Sequence, residues 1–163
     1  MNFDVLGNIG DFVGGIAVVV TLAYLAIQIR QNTIQSRVNI ATNQWEAMLH
    51  AYDPIYDGEN GIVFRKGLLN YESLDTHERL LFHGLMARIV GVCEISLYQK
   101  KHGALEPELF EKHSRVLEGI ISSPGGTEYW RNAAPVYGED LQAHIESMLA
   151  NPSAFVIQMR LDP

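Results

Sequence analysis

The stretch that decides the fold of this chain is residues 12–29, FVGGIAVVVTLAYLAIQI. None of these 18 residues is Asp, Glu, Lys or Arg, and the first basic residue of the chain, Arg30, follows immediately. At about 1.5 Å per helical residue they cover roughly 27 Å, close to the thickness of the hydrocarbon core of a bilayer. The sequence therefore predicts a transmembrane helix over residues 12–30, preceded by a short tail at residues 1–11.

The charges that flank this helix predict its orientation. Only the acidic residues Asp4 and Asp11 precede it, whereas Arg30 and Arg37 follow it. Because basic residues favour the cytoplasmic side, we expect the tail on the outer side of the membrane and the rest of the chain in the cytoplasm. The start also lacks the basic region of a cleavable signal peptide. The alternative is a wholly buried helix of a soluble bundle, since such a helix is also apolar on every face.

One face of the predicted transmembrane helix carries small and polar side chains, here called the helix-association stripe. Its members recur at alternating steps of three and four residues and are Gly7, Gly10, Gly14, Ala17, Thr21, Tyr24 and Gln28. In lipid, small residues let two helices approach closely, and polar side chains hydrogen-bond across the contact. We expect the stripe to contact a second membrane helix. The alternative is that its glycines only mark a frayed helix start.

Beyond the anchor the sequence has the pattern of an all-α protein. No Gly or Pro occurs between Gly15 and Pro54, so the helix is predicted to continue as a stalk over residues 31–52. A small cytoplasmic helical bundle is predicted over residues 53–150 and packs with this helix. Apolar and polar residues then alternate, which predicts an extended C-terminal tail over residues 151–163.

Capping residues and helix breakers define the elements of the bundle. Asp75 with Glu78 has the form of a capping box and opens a core helix that runs to Lys101. Further helices are predicted over residues 62–69, 107–121 and 139–150, with a short turn over residues 127–132. The side chains expected to be buried on the helix over residues 107–121 are Leu109, Val116, Leu117 and Ile120.

Composition and charge exclude several classes of function. The chain has 163 residues and a formal net charge of -7, the opposite sign from a nucleic-acid-binding surface. Its single cysteine, Cys93, cannot form an intrachain disulfide and is expected in the core. No Glu has His three positions later, as a di-iron bundle requires, and no phosphate loop or dinucleotide fingerprint occurs. We therefore predict no catalytic residue, cofactor, metal site or nucleic-acid partner.

Glu94 needs an explanation because it lies within a nearly all-apolar helical run. Its carboxylate must be paired, neutral or open to a groove. One interpretation is a structural carboxylate paired with Arg115 or Arg131. The other is a groove formed by Glu94, Tyr98 and His113 that serves an enzyme or a sensor of small ligands.

The order of several motifs resembles that of a group of known proteins. The motifs are LAYLAIQIRQNT at residues 22–33, SLD at residues 73–75, Glu94 with Tyr98, and SPGG at residues 123–126 before Tyr129-Trp130. Together they resemble small membrane-anchored helical proteins of marine and other Gram-negative bacteria. The resemblance covers most of the chain and implies bacterial origin, one N-terminal span and an α-helical domain, without an assigned activity. Where that group often has Trp, this chain has Phe110, an apolar exchange.

An anchor joined to a domain without a reactive cluster predicts a non-enzymatic role. We expect a single-pass inner-membrane protein that serves as an accessory subunit or interaction module. Its expected partners are membrane lipid and either further copies of itself or a larger membrane complex. The alternatives are a membrane-anchored enzyme or small-ligand sensor with a groove near Glu94, and an oligomeric pore lined by the helix-association stripe.

Overall fold

The computed structural model describes residues 3–152, with side chains from Gly10 onward, and these residues are helical nearly throughout. The six long helices are α1 (Phe3–Tyr52), α2 (Gly58–Leu69), α3 (Thr76–Lys101), α4 (Pro107–Ile121), α5 (Pro124–Ala133) and α6 (Glu139–Ala150). Short 3-10 turns occur at Asp53–Tyr56, Tyr71–Ser73 and Ala134–Val136. No β-strand occurs within residues 3–152. The predicted all-α class is confirmed, whereas residues 153–163 of the predicted extended tail lie outside the described residues.

The described chain divides into two compact units between Asn39 and Ile40. Within the described residues the first unit contains only the part of α1 up to Asn39, and every residue from 10 to 39 is exposed. The last residues of α1, from Ile40 to Tyr52, belong to the second unit. Large apolar side chains therefore lie on the surface of the first unit, among them Phe12 at 70% and Val19 at 66% exposure. The helical segment Gly10–Tyr56 is long and apolar enough to cross a membrane, with a mean hydropathy of 2.2 over its most apolar window and none of that window buried.

Helix α3 is the core helix of the second unit. It begins with the predicted capping box, in which Asp75 Oδ1 accepts from Glu78 N at 2.9 Å and Glu78 Oε2 accepts from Asp75 N at 2.8 Å. Its most apolar stretch has a mean hydropathy of 1.6, so α3 is also long and apolar enough to cross a membrane. However, 39% of that stretch is buried in the protein. Since α3 packs against α2, α4, α5 and α6, the bundle explains its buried apolar residues, whereas Leu80 and Ile95 are 72% and 53% exposed.

The core of the second unit combines aromatic and aliphatic side chains. The largest fully buried apolar side chains are Phe82, Phe110, Met86, Leu117, Ile121, Leu141, Ile145 and Val90. The ring of Phe82 lies 5.9 Å from the rings of both Phe64 and Tyr71, measured between centroids. Cys93 is 3% exposed and is a free thiol within this core, as predicted.

Helices α2 and α5 approach each other at two glycines. A Cβ atom added to Gly125 would lie 1.8 Å from the carbonyl oxygen of Gly67. A Cβ atom added to Gly67 would lie 2.3 Å from Cδ2 of Phe82. Because every other residue carries a Cβ atom, only glycine fits at either position without a shift of its neighbours. This contact fixes α5 against the core of the bundle.

Two element boundaries differ from the sequence prediction. Helix α2 begins at Gly58 instead of residue 62. Its N-cap residue, Asp57, has an extended backbone and directly follows the preceding 3-10 turn. Helix α5 replaces the turn predicted over residues 127–132. Ser123 Oγ accepts a hydrogen bond from Gly126 N at 3.0 Å, and Pro124 occupies the first turn, so this segment begins a new helix as well as ending α4.

Helix α4 has the predicted boundaries but a different buried face. Leu117 and Ile120 are buried as predicted and Leu109 is half-buried, whereas Val116 is 40% exposed. The polar residues Ser114 and Glu118 are buried on α4 instead. A polar side chain can occupy such a position when it finds a hydrogen-bond partner, as Ser114 does. Hydrophobic spacing alone therefore misplaced part of this face.

Candidate functional site

Glu94 and Tyr98 lie one helical turn apart on α3 and line the same surface groove. The groove encloses about 420 Å³ and is open to solvent. Its remaining lining residues are Leu97, Lys101, Gly138, Glu139, Asp140 and Leu141. They belong to the second half of α3 and to the start of α6, so the groove is built where these two helices meet.

The carboxylate of Glu94 is paired with the backbone of the neighbouring helix. Its Oε1 accepts a hydrogen bond from the N–H of Gly138 at 2.7 Å. Gly138 is the N-cap residue of α6, where a negative charge is favoured by the helix dipole. Glu94 is thus paired, as predicted, but with a backbone amide instead of Arg115 or Arg131. Arg131 forms an ion pair with Glu128 on its own helix.

The rim of the groove is predominantly acidic. Lys101 Nζ lies 2.6 Å from Asp140 Oδ2, so the ammonium group of the lining is already paired. Glu139 adds a further exposed carboxylate beside Glu94. Tyr98 is 65% exposed, and its ring centroid lies 4.3 Å from that of His102. These groups can hydrogen-bond a small polar molecule.

His113 lies outside the lining of this groove and is 5% exposed. Its Nδ1 lies 3.1 Å from Ser96 Oγ, and Gln44 Nε2 donates to the same Ser96 oxygen at 2.5 Å. Burial lowers the pKa of His113. The structure therefore groups Glu94 with Tyr98 and places His113 in the interior, which residue spacing could not reveal because it does not determine the face with which α4 meets α3.

A second Ser–His pair was not predicted from the sequence. Ser114 Oγ lies 2.7 Å from His144 Nε2, between α4 and α6. Burial lowers the pKa of His144, while the nearby Glu111 opposes this shift. The two residues are 30 positions apart, so no local sequence motif predicts the pair.

Side-chain hydrogen bonds of the helix-association stripe are formed within its own helix. Thr21 Oγ1 donates to the carbonyl oxygen of Ala17 at 2.8 Å, and Gln28 Nε2 donates to the hydroxyl of Tyr24 at 2.7 Å. A Cβ atom added at Gly10 or Gly14 would meet no atom within 4 Å. Gly7 lies in α1 but precedes the described side chains. The described part of the stripe is thus an exposed surface of small and polar residues.

Among the side chains from Gly10 to Pro152, no group of three or more His, Cys, Asp or Glu is arranged to hold a metal ion. Comparisons with protein-family models, with curated proteins and with solved structures found no match.

Proposed function

We propose that this protein is a non-enzymatic, single-pass inner-membrane protein whose transmembrane helix continues into a stalk and whose cytoplasmic bundle is an accessory subunit or interaction module. The observation that carries this proposal is the exposure of every residue from 10 to 39. Removing a large apolar side chain from water stabilises a protein by about 1.5–3 kcal/mol. A bilayer removes all faces of one helix from water at once.

The distribution of charge supports an orientation. Arg30 and Arg37 follow the apolar segment, and the only charged residues before it are acidic. The N-terminus then lies outside the cytoplasm and the bundle inside. The resemblance to membrane-anchored helical proteins of Gram-negative bacteria supports the inner membrane as the location in this proposal.

The open stripe on α1 supports assembly as the role of the anchor. Small residues at Gly10, Gly14 and Ala17 leave room for the backbone of a second helix. The partner in this proposal is either a second copy of the chain or another subunit of a membrane complex. Thr21 and Gln28 can exchange their bonds inside the helix for bonds across such a contact.

Membrane insertion and orientation are tested first. A C-terminal green fluorescent protein fusion should fluoresce, because the fusion partner folds in the cytoplasm. The same fusion should remain in the membrane pellet after carbonate washing, because the helix anchors it. A matching alkaline phosphatase fusion should be inactive. Recovery of the chain in the carbonate supernatant would refute the anchor, and active phosphatase would reverse the orientation.

Assembly is tested by a pair of matched substitutions in the full chain. Gly14→Leu places a bulky side chain in the stripe, whereas Val19→Leu changes the other side of the same helix. After gentle extraction, mass photometry should show a complex larger than one chain for the wild-type protein and for Val19→Leu, and a loss of that complex for Gly14→Leu. A wild-type complex of a single chain, or equal effects of both substitutions, would contradict assembly through the stripe.

A small-ligand sensor or enzyme is the second candidate, favoured by the open groove beside Glu94 and Tyr98. Glu94→Gln keeps the size of the side chain and removes the charge at the start of α6. A purely structural carboxylate predicts a lower melting temperature and unchanged function in the cell, whereas a ligand site predicts loss of function at unchanged stability. The remaining alternative, a pore, predicts conductance after reconstitution in planar bilayers, and flat traces would exclude it.

A further inference from the structure

A buried set of polar side chains joins the end of α1 to the bundle. Gln44 of α1 is 3% exposed, Ser96 of α3 is fully buried and His113 of α4 is 5% exposed. Gln44 Nε2 donates to Ser96 Oγ at 2.5 Å and to the carbonyl oxygen of Val92 at 3.2 Å. Ser96 Oγ in turn lies 3.1 Å from His113 Nδ1. We call Gln44, Ser96 and His113 the latch.

The hydrogen bonds of the latch at Nδ1 of His113 are satisfied when the imidazole is neutral. Ser96 Oγ accepts from Gln44 and has one proton to give, either to Val92 O at 2.9 Å or to His113 Nδ1. In the first case the Nδ1–H of His113 donates to Ser96, and in the second Nδ1 accepts. Either tautomer is satisfied at Nδ1, while Nε2 of His113 is buried without a protein partner.

The surroundings of His113 disfavour a positive charge. A small cavity of about 10 Å³ is lined by His113 together with Met48, Ala51, Tyr52, Ile89, Val92, Cys93 and Leu117. Its titratable side chains are Tyr52 from α1 and Cys93 from α3, and burial raises the pKa of each, so both are neutral near pH 7. From α6, His144 binds Ser114, the residue after His113. The lining of this cavity contains no carboxylate that could compensate an imidazolium ion.

We propose that the latch is a pH-sensitive attachment that holds residues 40–52 of α1 on the bundle while His113 is neutral and releases them when it is protonated. Protonation gives both ring nitrogens a proton, and the cavity beside the new cation is lined by no carboxylate. The favourable response is opening of the contact to water. The released segment directly follows the apolar part of α1 in the chain, so this inference goes beyond the role of the bundle as an interaction module.

The test is hydrogen–deuterium exchange of the full chain in detergent micelles, corrected for intrinsic exchange, near pH 7.5 and near pH 5.5. Protection of residues 44–52 should fall by up to about tenfold per pH unit below about pH 6.5, the ordinary pKa of a histidine that the open state exposes to water. His113→Gln keeps hydrogen-bonding capacity without a titratable ring, so protection should persist at the lower pH. His144→Gln is the matched control and should retain the wild-type response. Gln44→Leu should lower protection of the segment at both pH values.

The wild-type chain provides a measurement that is independent of these variants. Exchange of the imidazole C2 hydrogen reports the titration of His113 directly, and its midpoint should coincide with the loss of protection in residues 44–52. Separate midpoints would overturn the proposal, and so would an unchanged pH response in His113→Gln. A loss of protection that is uniform over the bundle would identify global acid unfolding and refute a local latch.

Discussion

The close approach of α2 and α5 leads to a prediction whose sign depends on tertiary structure. In an exposed helix interior, Gly→Ala stabilises by about 0.5–1 kcal/mol, since alanine has the higher helix propensity. At Gly125 the new Cβ atom would lie 1.8 Å from the backbone oxygen of Gly67, which no side-chain rotation can relieve. Overpacking of this kind costs about 1–3 kcal/mol. We therefore expect Gly125→Ala to lower the free energy of unfolding by roughly 1–2 kcal/mol after the gain in propensity.

The matched control is Gly84→Ala on α3, where the position is exposed and a Cβ atom would meet nothing within 4 Å. This variant should be more stable than wild type by about 0.5–1 kcal/mol. The assay is denaturant unfolding of the full chain in micelles, followed by tryptophan fluorescence. Trp130 is 5% exposed and stacks on Tyr137, so its emission should change on unfolding, whereas Trp45 is already exposed. A stability of Gly125→Ala equal to or above that of wild type would refute the steric argument, because the backbones would then have room for a methyl group.

Three further outcomes are expected. Burial is the main reason that the pKa values of His83, His113 and His144 are lowered in the folded state. Because the unfolded chain therefore takes up protons first, the free energy of unfolding should fall as the pH drops below about 6.5. Urea titrations at several pH values would measure this, and a flat profile down to about pH 5 would contradict the burial of these histidines. Cys93 is buried, and burial raises the pKa of its thiol to about 12. Its reaction with a thiol reagent near pH 8 should therefore be slow until urea unfolds the bundle. Rapid labelling of the native chain would disprove the burial. Phe82→Ala should destabilise the bundle by about 3–5 kcal/mol, measured by the same fluorescence transition, because a fully buried ring is removed.

The sequence predicted the parts of the fold that depend on local chemistry. The capping box at Asp75 and Glu78, the boundaries of α4 and α6, and the absence of charge from residues 12–29 all follow from nearby residues. The start of α5 was missed because Ser123 and Pro124 are turn residues as well as helix-starting residues, and spacing does not distinguish the two uses.

The candidate sites depended more strongly on packing between helices. Glu94 was singled out as an acid that needs a partner because it stands among apolar residues in the sequence, and the structure leaves it half-buried. Its partner, the amide of Gly138, lies 44 positions away and carries no side-chain signal. His113 was grouped with Glu94 and Tyr98, yet it binds Ser96 and Gln44 in the interior. Only the arrangement of α4 against α3 determines this difference.

The sequence by itself determined an all-α chain that begins with an apolar helix and lacks the motifs of common enzymes and metal sites. Helix periodicity, caps and charge are properties of neighbouring residues, so they can be read without a tertiary structure. Tertiary structure decided that Gly67 and Gly125 must be glycine, that Glu94 caps α6 and that three polar side chains form the latch. These features join residues far apart in the chain, and the packing of helix faces brings them within contact distance.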